Sequence, residues 1–317
     1  MHINSDINIL VLCNNEIAIP AMQQLFVSGN LKAIVIPEKN KELFAIVHPL
    51  VAGTEIKVAS VNKKNLEATI RALAAEKKIT TAWLMTFSYI IPASLLATLP
   101  GGFINFHYGL LPKYRGPNPI LAQMLQYEVY SGISVHVVDK NIDTGPIVLQ
   151  QKIPIEDTDT FGIQCQKLGM LGAAIALQLL KVFSLGNVIP SMPQDESQAR
   201  YFKKPTASDL MINWKNMSSG QIVRLINACN PWNKGAGTII YNEVICFTHA
   251  EVTGDTIREE AEPGTIVNLD DKEGLKIFCS DKKVIRVNII YTPHGFFPGY
   301  RLTLYGVKLK DRFITQD

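Results

Sequence analysis

The chain predicts an α/β domain built on a mostly parallel sheet, followed by a smaller β-rich domain. Three observations carry this. Up to about residue 188, short β-rich apolar runs alternate with longer stretches of helical period, the pattern of a parallel sheet flanked by helices. The stretch Ile189–Thr206, with Pro190, Pro193 and Pro205 among polar residues, reads as an extended surface linker. Beyond it come short β-rich runs separated by Gly, Asp and Asn turns, which suggest a small open barrel of the five-stranded, OB-like kind. The expected domains are therefore 1–188 and 207–317, joined by a linker over 189–206. A length of 317 residues accommodates both, at roughly 100–200 residues per domain.

Each element has its own warrant. Ile7–Cys13 reads as a buried strand, and Asn14 and Asn15 can cap a helix from Glu16 to about Val27, where Ile19, Met22, Leu25 and Phe26 recur at helical spacing. Lys32–Ile36 is a second strand. Lys63–Lys77 forms an amphipathic helix with Leu66, Ile70, Leu73 and Ala74 on one face. Thr81–Thr86, Phe103–His107 and Ile133–Val138 follow as strands, and Thr160–Leu185 is long and apolar enough for a helix lying across the sheet. After the linker, Ser219–Ala228 is expected to be helical. Gly237–Tyr241, Val244–Val252, Gly264–Asn268, Leu275–Cys279 and Val284–Ile290 are expected to be strands.

Charge and composition narrow the function. The formal charge is +3, split as +2 before residue 189 and +1 after it, so no strong field draws nucleic acid, an acidic membrane or another polyanion. With 47% hydrophobic and 19% charged residues, the chain can bury sizeable cores. Asn, Lys, Glu or Gln interrupts every candidate membrane span, and the opening MHINSDINILVLCNN lacks the order of a signal peptide. Cys13, Cys165, Cys229, Cys246 and Cys279 are scattered and form no C-x-x-C pair. A cytoplasmic protein without a disulfide framework or zinc site is expected.

Several chemistries lack their residues. The first strand-to-helix turn, CNNEIAIP, has no glycine to let a pyrophosphate approach the backbone, which disfavours a nicotinamide enzyme. G-x-x-x-x-G-K, G-x-S-x-G and H-E-x-x-H are all missing. The stretch GGFINFHYGLLPKYRGPNPI, residues 101–120, is different. Asn105 and His107 lie two apart on a strand, so both leave one face near its carboxyl end, where open parallel sheets place ligands. Gly109, Pro112, Gly116, Pro117 and Pro119 make the following stretch a loop. Farther on, KNIDTGPIV puts Asp143 in a turn. An amide, an imidazole and a carboxylate can hold an acyl carbonyl, stabilise its developing charge and accept a proton from an attacking amine.

Taken together, Asn105, His107, Leu110-Leu111-Pro112, Arg115-Gly116 and Asp143-Thr144-Gly145 resemble the folate-dependent formyltransferases. PQDESQARYFKKPTASDLMINW, INACNPW and EPGTIV extend the resemblance to the linker and barrel of the methionyl-tRNA branch of that family, and the amino-sugar nucleotide branch shares the two-domain plan. The resemblance implies a Rossmann-like formyltransferase domain followed by the OB-like β-barrel domain. It implies 10-formyltetrahydrofolate as formyl donor, with no metal. Asn105 would hold the formyl oxygen, His107 would stabilise its charge or relay a proton, and Asp143 would orient His107 and help take the amine proton. Tyr89, Ile90 and Ile91, with Asp139, Lys140, Asn141 and Ile142, match the stretches that line the pterin pocket.

The chain also departs from the family pattern. Tyr108-Gly109 stands where Gly-Ser is usual, CNNEIAIP lacks the Gly-Thr-Pro of the tRNA enzymes, and the loop PEKNKELFAIVHPL is short and nearly charge-balanced where those enzymes carry a longer basic loop. These departures favour a small amine acceptor, such as a nucleotide-linked amino sugar, over methionyl-tRNA. Tyr108, Tyr114 and Arg115 are the expected acceptor contacts, aromatic faces for a base and a guanidinium for phosphate. Hydrolysis of the folate, or folate binding without catalysis, are the rival readings. His48, His136 and His249 have no companions at metal-ligand spacing and are assigned to core or surface.

Overall fold

The computed structural model describes residues 7–185, 190–256 and 261–315. Residues 1–6, on which the signal-peptide reading partly rests, and residues 186–189, including the first of the expected linker, lie outside these. The chain divides into two compact units.

The first unit comprises Met1–Ile120, Tyr130–Pro154 and Cys165–Lys203. Its strands and helices run β1 (Ile9–Cys13), α1 (Ile19–Val27), β2 (Leu31–Pro37), α2 (Lys41–Leu50), β3 (Lys57–Val61), α3 (Leu66–Glu76), β4 (Thr81–Met85), α4 (Ala93–Leu96), β5 (Phe103–His107), α5 (Pro119–Leu125), β6 (Tyr130–Val137), β7 (Ile147–Pro154) and α6 (Phe161–Ser184), with α5 and α6 each extending past the unit's limits. The sheet order is β3-β2-β1-β4-β5-β6-β7. Pairings from β3 through β5 are parallel, and β6 and β7 are added antiparallel. This is the mostly parallel, Rossmann-like sheet.

Local sequence explains the central elements. Every residue of β1 is buried, as a strand covered on both faces requires. The Asn15 side chain accepts from the Ile17 amide and starts a single 3-10 turn, Glu16–Ala18, that leads into α1, which has Pro20 in its first turn. On α3, Leu66, Ile70 and Leu73 are the buried stripe. They join Leu10, Leu12, Val35, Leu84, Ile91 and Phe103 in one core, against which Tyr89 and Val138 also pack.

Five elements of this unit escape the sequence reading, α2, β3, β7, α4 and α5, whose start at Pro119 reads as loop. In α2 only Leu43 and Val47 are buried and Pro49 interrupts the pattern, while β3 reads KVASV with one fully buried residue. Strand β7, IVLQQKIP at the sheet edge, has no buried residue and alternates half-buried and exposed positions along QQKIP, and α4 is a single turn.

The linker is corrected. Residues up to Lys203 belong to the first unit, because the Arg115 amide donates to the Arg200 carbonyl at 3.0 Å and the Phe202 amide to the Arg115 carbonyl at 2.9 Å. Main-chain pairing makes this stretch a strap rather than a free connection. The second unit is also discontinuous, taking in Leu121–Val129 and Ile155–Gln164 along with Lys204–Asp317.

In that second unit, α7 (Ser219–Ala228) begins with a capping box between Ser218 and Gln221. The strands β8 (Ala236–Ile240), β9 (Glu243–Thr256), β10 (Ile266–Asp270), β11 (Gly274–Phe278) and β12 (Lys283–Thr292) form an antiparallel sheet in the order β10-β11-β12-β9-β8, with β13 (Gly295–Pro298) against β12. Near the C-terminus, Arg312 bridges Thr265 beside β10 and Ile314 bridges Ile239 on β8, so the two outer edges are joined through one segment. That is how the sheet approaches the expected barrel. Trp214 stacks on Phe313 in its core and donates its indole N–H to Thr238 Oγ1 at 2.9 Å.

Candidate active site

Strand β5 delivers Asn105 and His107 to one face by simple alternation. Its antiparallel partner β6 places His136 opposite Asn105 and Ser134 opposite His107. The Asn105 amide nitrogen lies 3.0 Å from His136 Nε2, and His136 Nδ1 lies 2.8 Å from the Val137 carbonyl. Ser134 Oγ, on the same strand face as His136, donates to the Gly109 carbonyl at 2.6 Å and accepts from the Leu111 amide at 2.9 Å, so it holds the loop after His107.

Asp143 reaches the same place from the turn between β6 and β7. It adopts a left-handed φ of 57°, which aspartate tolerates better than most residues. Its Oδ1 lies 3.5 Å from His107 Nδ1 and 3.8 Å from His136 Nε2, while Oδ2 accepts from the Gly116 amide at 2.9 Å. His107 Nε2 lies 2.6 Å from the Tyr114 carbonyl. A carbonyl only accepts, so Nε2 carries a proton and Nδ1 is the ring atom free to exchange one toward Asp143.

The Asp143 side chain is only 10% exposed. Burial alone pushes its carboxyl up, yet the charge of His107 and hydrogen bonds from His107 and the Gly116 amide together hold it well below the usual carboxylate range. Asp143 is thus an anion placed against the His107 ring.

The segment after β4 and the turn after β6 supply an apolar rim. Ile90 and Ile142 are exposed, whereas Ile91 is buried in the core that Tyr89 and Val138 flank. Among the described residues, the backbone of Tyr89, Ile90 and Ile91 makes no main-chain hydrogen bond. Thr86, a β-branched residue at a φ of 63°, turns the chain out of β4 at this point. Asp139 is occupied within its own turn, accepting from the Asn141 amide at 3.0 Å and from Thr144 Oγ1 at 2.8 Å, and Lys140 and Asn141 are exposed. Free backbone groups beside exposed isoleucines are what a flat heterocycle with polar edges requires.

The structure brings Asn105, His107 and Asp143 together, and it adds His136, which the sequence reading assigns to core or surface. The signal was S-V-H, two alternating polar residues in an apolar strand, but its meaning depends on a β5–β6 register that spacing alone does not reveal.

It does not present Tyr108, Tyr114 and Arg115 as acceptor contacts. All three are buried. The Tyr108 phenol points into the interior with burial raising its pKa, Tyr114 stacks on Phe202 with centroids 5.0 Å apart, and the Arg115 guanidinium is held by Glu196 Oε1 and Oε2 at 2.6 and 2.9 Å. The loop turns these side chains inward because its main chain pairs with the strap.

A second cluster lies past the carboxyl ends of β1 and β2. Asn40 caps α2 by accepting from the Leu43 amide, and its Nδ2 donates to the Asn14 carbonyl at 2.9 Å. With Lys39, Lys41 and Glu42 these residues line an open pocket of about 460 Å³. Lys39 Nζ also stands 5.9 Å from the centre of the Tyr89 ring.

An open α/β sheet carrying an amide, two imidazoles and a carboxylate at the carboxyl end of its central strands defines a site for acyl-group transfer. Residues 21–178 match the formyl transferase family and residues 204–295 match the formyl transferase C-terminal domain; the chain belongs to this family, whose reaction is folate-dependent formyl transfer. A methionyl-tRNA formyltransferase of Dictyoglomus thermophilum is 34% identical over 227 residues, 69% of this chain and 71% of that protein. Among solved structures, the sugar 3N-formyl transferase WlaRD, determined with dTDP and 5-N-formyl-THF, shares the fold with a TM-score of 0.66 at 20% identity, over 88% of this chain and 96% of its own. The N-formyltransferase of Helicobacter canadensis, in complex with folinic acid and dTDP-3-aminofucose, follows at 0.65 and 20%, over 88% and 98%.

Proposed function

We propose that this enzyme moves a formyl group from 10-formyltetrahydrofolate to the primary amine of a small, anionic acceptor such as a nucleotide-linked amino sugar, in a reducing cytoplasm and without a metal. The donor's pterin fits between Tyr89–Ile91 and the turn from Asp139 to Ile142, on exposed isoleucines and free backbone groups. Asn105 donates an amide N–H to the formyl oxygen as negative charge develops there. His107, anchored by Asp143, adds positive charge beside that oxygen and carries a proton at Nδ1. Asp143 accepts the proton that the attacking amine gives up, through His107 or directly. The amine nitrogen bonds to the formyl carbon, the bond to the donor nitrogen breaks, and that nitrogen takes up a proton.

The observation that carries the acceptor class is the connection between β2 and α2. It consists of Glu38, Lys39 and Asn40 alone, and Asn40 is already committed to capping the helix. This leaves no projecting basic loop to enter an RNA stem, while Lys39 and Lys41 beside an open pocket suit one or two phosphates. The second reading, methionyl-tRNA as acceptor, is favoured by the 34% identity to a methionyl-tRNA formyltransferase.

The test is turnover with 10-formyltetrahydrofolate as donor and either amino-sugar nucleotides or charged initiator tRNA as acceptor, at physiological salt. Amine formylation of the sugars is expected. Formylation of tRNA alone would reverse the acceptor, formate release without an amine would indicate a hydrolase, and folate binding without turnover would indicate a binding protein.

A further inference from the structure

We infer that Gln194 is a positioning residue for formyl transfer, and that with Arg115 and Glu196 it fixes the distance between His107 and Asp143. The inference rests on the reading of those two residues as catalytic. It concerns a segment that sequence assigned to a linker and that the structure turns into part of the site's frame.

Gln194 touches both halves of the arrangement. Its amide nitrogen donates to the Asp143 carbonyl at 2.9 Å and to the Gly145 carbonyl at 2.7 Å, spanning the turn that presents the carboxylate. Its Oε1 accepts from Arg115 Nη2 at 2.8 Å and from Nε at 3.2 Å. Arg115 sits between the two main-chain groups that grip the catalytic pair, the Tyr114 carbonyl on His107 Nε2 and the Gly116 amide on Asp143 Oδ2. Moving Arg115 therefore moves both grips at once.

The guanidinium is itself fixed. Glu196 holds it through two parallel hydrogen bonds, the geometry in which an arginine–carboxylate pair is most directional, and Tyr201 Oη accepts from Nη1 at 3.3 Å. Arg115 is 1% exposed, so its charge is compensated in place and not displayed to a ligand. Gly116 seals the contact: at a φ of 122°, a Cβ there would collide with the Phe202 carbonyl, so the loop and the strap meet backbone to backbone.

The groups facing Asp143 are His107 from β5, His136 from β6, the Gly116 amide from the loop, and Gln194 from the strap through main-chain carbonyls. Without Gln194 the turn loses the two bonds that flank Asp143 and is tied to the strap only at its ends, by Tyr201 Oη on the Ile142 carbonyl and by the main-chain pair of Met192 with Ile147. Asp143 then drifts from its donors, and near 3.5 Å even a shift of about 1 Å removes the contact and costs on the order of 10² in rate.

Two readouts on the full chain test this. In Gln194→Ala, kcat for formyl transfer is expected to fall roughly 10- to 100-fold with the donor KM unchanged, and the Asp143 carboxyl carbon, followed by NMR, is expected to titrate at higher pH than in the wild type. Glu196→Ala should show the same changes in weaker form, because its side chain is 66% exposed and its loss leaves the core intact. Glu196→Gln, which keeps one acceptor for Arg115, should recover part of the loss. The NMR titration needs no acceptor. An Asp143 titration that moves in a protein without transferase activity would sink the proposed function and leave the strap's role standing. An unmoved Asp143 titration, or an unchanged kcat in both alanine variants, would overturn the positioning role.

Discussion

Asn105 Nδ2 lies 3.0 Å from His136 Nε2, across the antiparallel pairing that sets these residues opposite one another on β5 and β6. Because His136 Nδ1 faces the Val137 carbonyl at 2.8 Å, the neutral ring carries its proton there and leaves Nε2 as an acceptor. One amide N–H of Asn105 is thereby fixed on His136, and the other is left for the formyl oxygen in the proposed reaction. A strand register thus selects the orientation of the amide proposed to stabilise the transition state.

This gives an ordered pair of effects. Asn105→Ala removes the donor itself, and losing one such donor costs ~10²–10³ in kcat. His136→Ala only frees the amide to rotate, so its loss is expected to be smaller, and His136→Gln, which retains an acceptor, should lie between His136→Ala and the wild type. Steady-state kcat and donor KM check the order. A His136→Ala enzyme with wild-type kcat would remove the orienting role.

Asp143 links the site to stability. Its carboxyl is depressed in the folded protein despite burial, through His107 and the Gly116 amide. A depressed carboxylate contributes stability that is fully present above its unfolded pKa, about 3.9, and is lost as pH falls below that value toward the folded one. Asp143→Asn should therefore be less stable than wild type near pH 6, with the gap narrowing by pH 3.5. Denaturant titrations at the two pH values measure it. A gap that widens on acidification would mean that the carboxylate is not held by these partners.

Gly109 stands in packing that leaves no room for a side chain. A Cβ at Gly109 would come within 2.5 Å of Pro119 Cβ and 3.1 Å of His107 Nε2. A proline ring cannot swing aside, so the imidazole or the loop must yield. Gly109→Ser is expected to cost about 1–3 kcal/mol of stability, as overpacking does, and to lower kcat by disturbing His107. Pairing it with Pro119→Ala removes only ring atoms beyond the clashing Cβ and should recover little, whereas Pro119→Gly should recover more. Thermal melts and kinetics of the single and double variants decide the point.

What could be read from the sequence follows from which interactions are local. The α7 limits, Ser219–Ala228, follow from a cap and a periodic stripe within one turn of each other, and β5 emerges whole from Phe103–His107. The trio Asn105, His107 and Asp143 was legible as a motif. The site's remaining parts are long-range. His136 enters through a register, Gln194 through hydrogen bonds to a turn far back in the chain, and Arg115 changes from an acceptor contact to a buried clamp because Glu196 lies in a strap that composition alone makes look like a linker. The polar, proline-bearing strap resembles a free linker in every property except its partners.

The final prediction concerns Lys39 and Lys41. Both line the pocket at the start of α2, and the short β2–α2 connection places no further cations beside them. An anionic small acceptor can therefore engage about two charges, so log(kcat/KM) should fall with log salt at a slope of roughly −1 to −2, shallow beside the slope of about −0.9 for each phosphate that an extended RNA contact accumulates. Lys39→Ala and Lys41→Ala should each raise the acceptor KM several-fold and flatten the salt dependence. The donor KM should not change in Lys41→Ala. In Lys39→Ala it should move slightly, because Lys39 also stands over Tyr89, beside the proposed pterin slot. Acceptor KM values that ignore both lysines would place the acceptor elsewhere on the sheet's carboxyl edge, and a salt slope steeper than about −4 would mark a polyanion, reversing the acceptor class while leaving Asn105, His107 and Asp143 their roles.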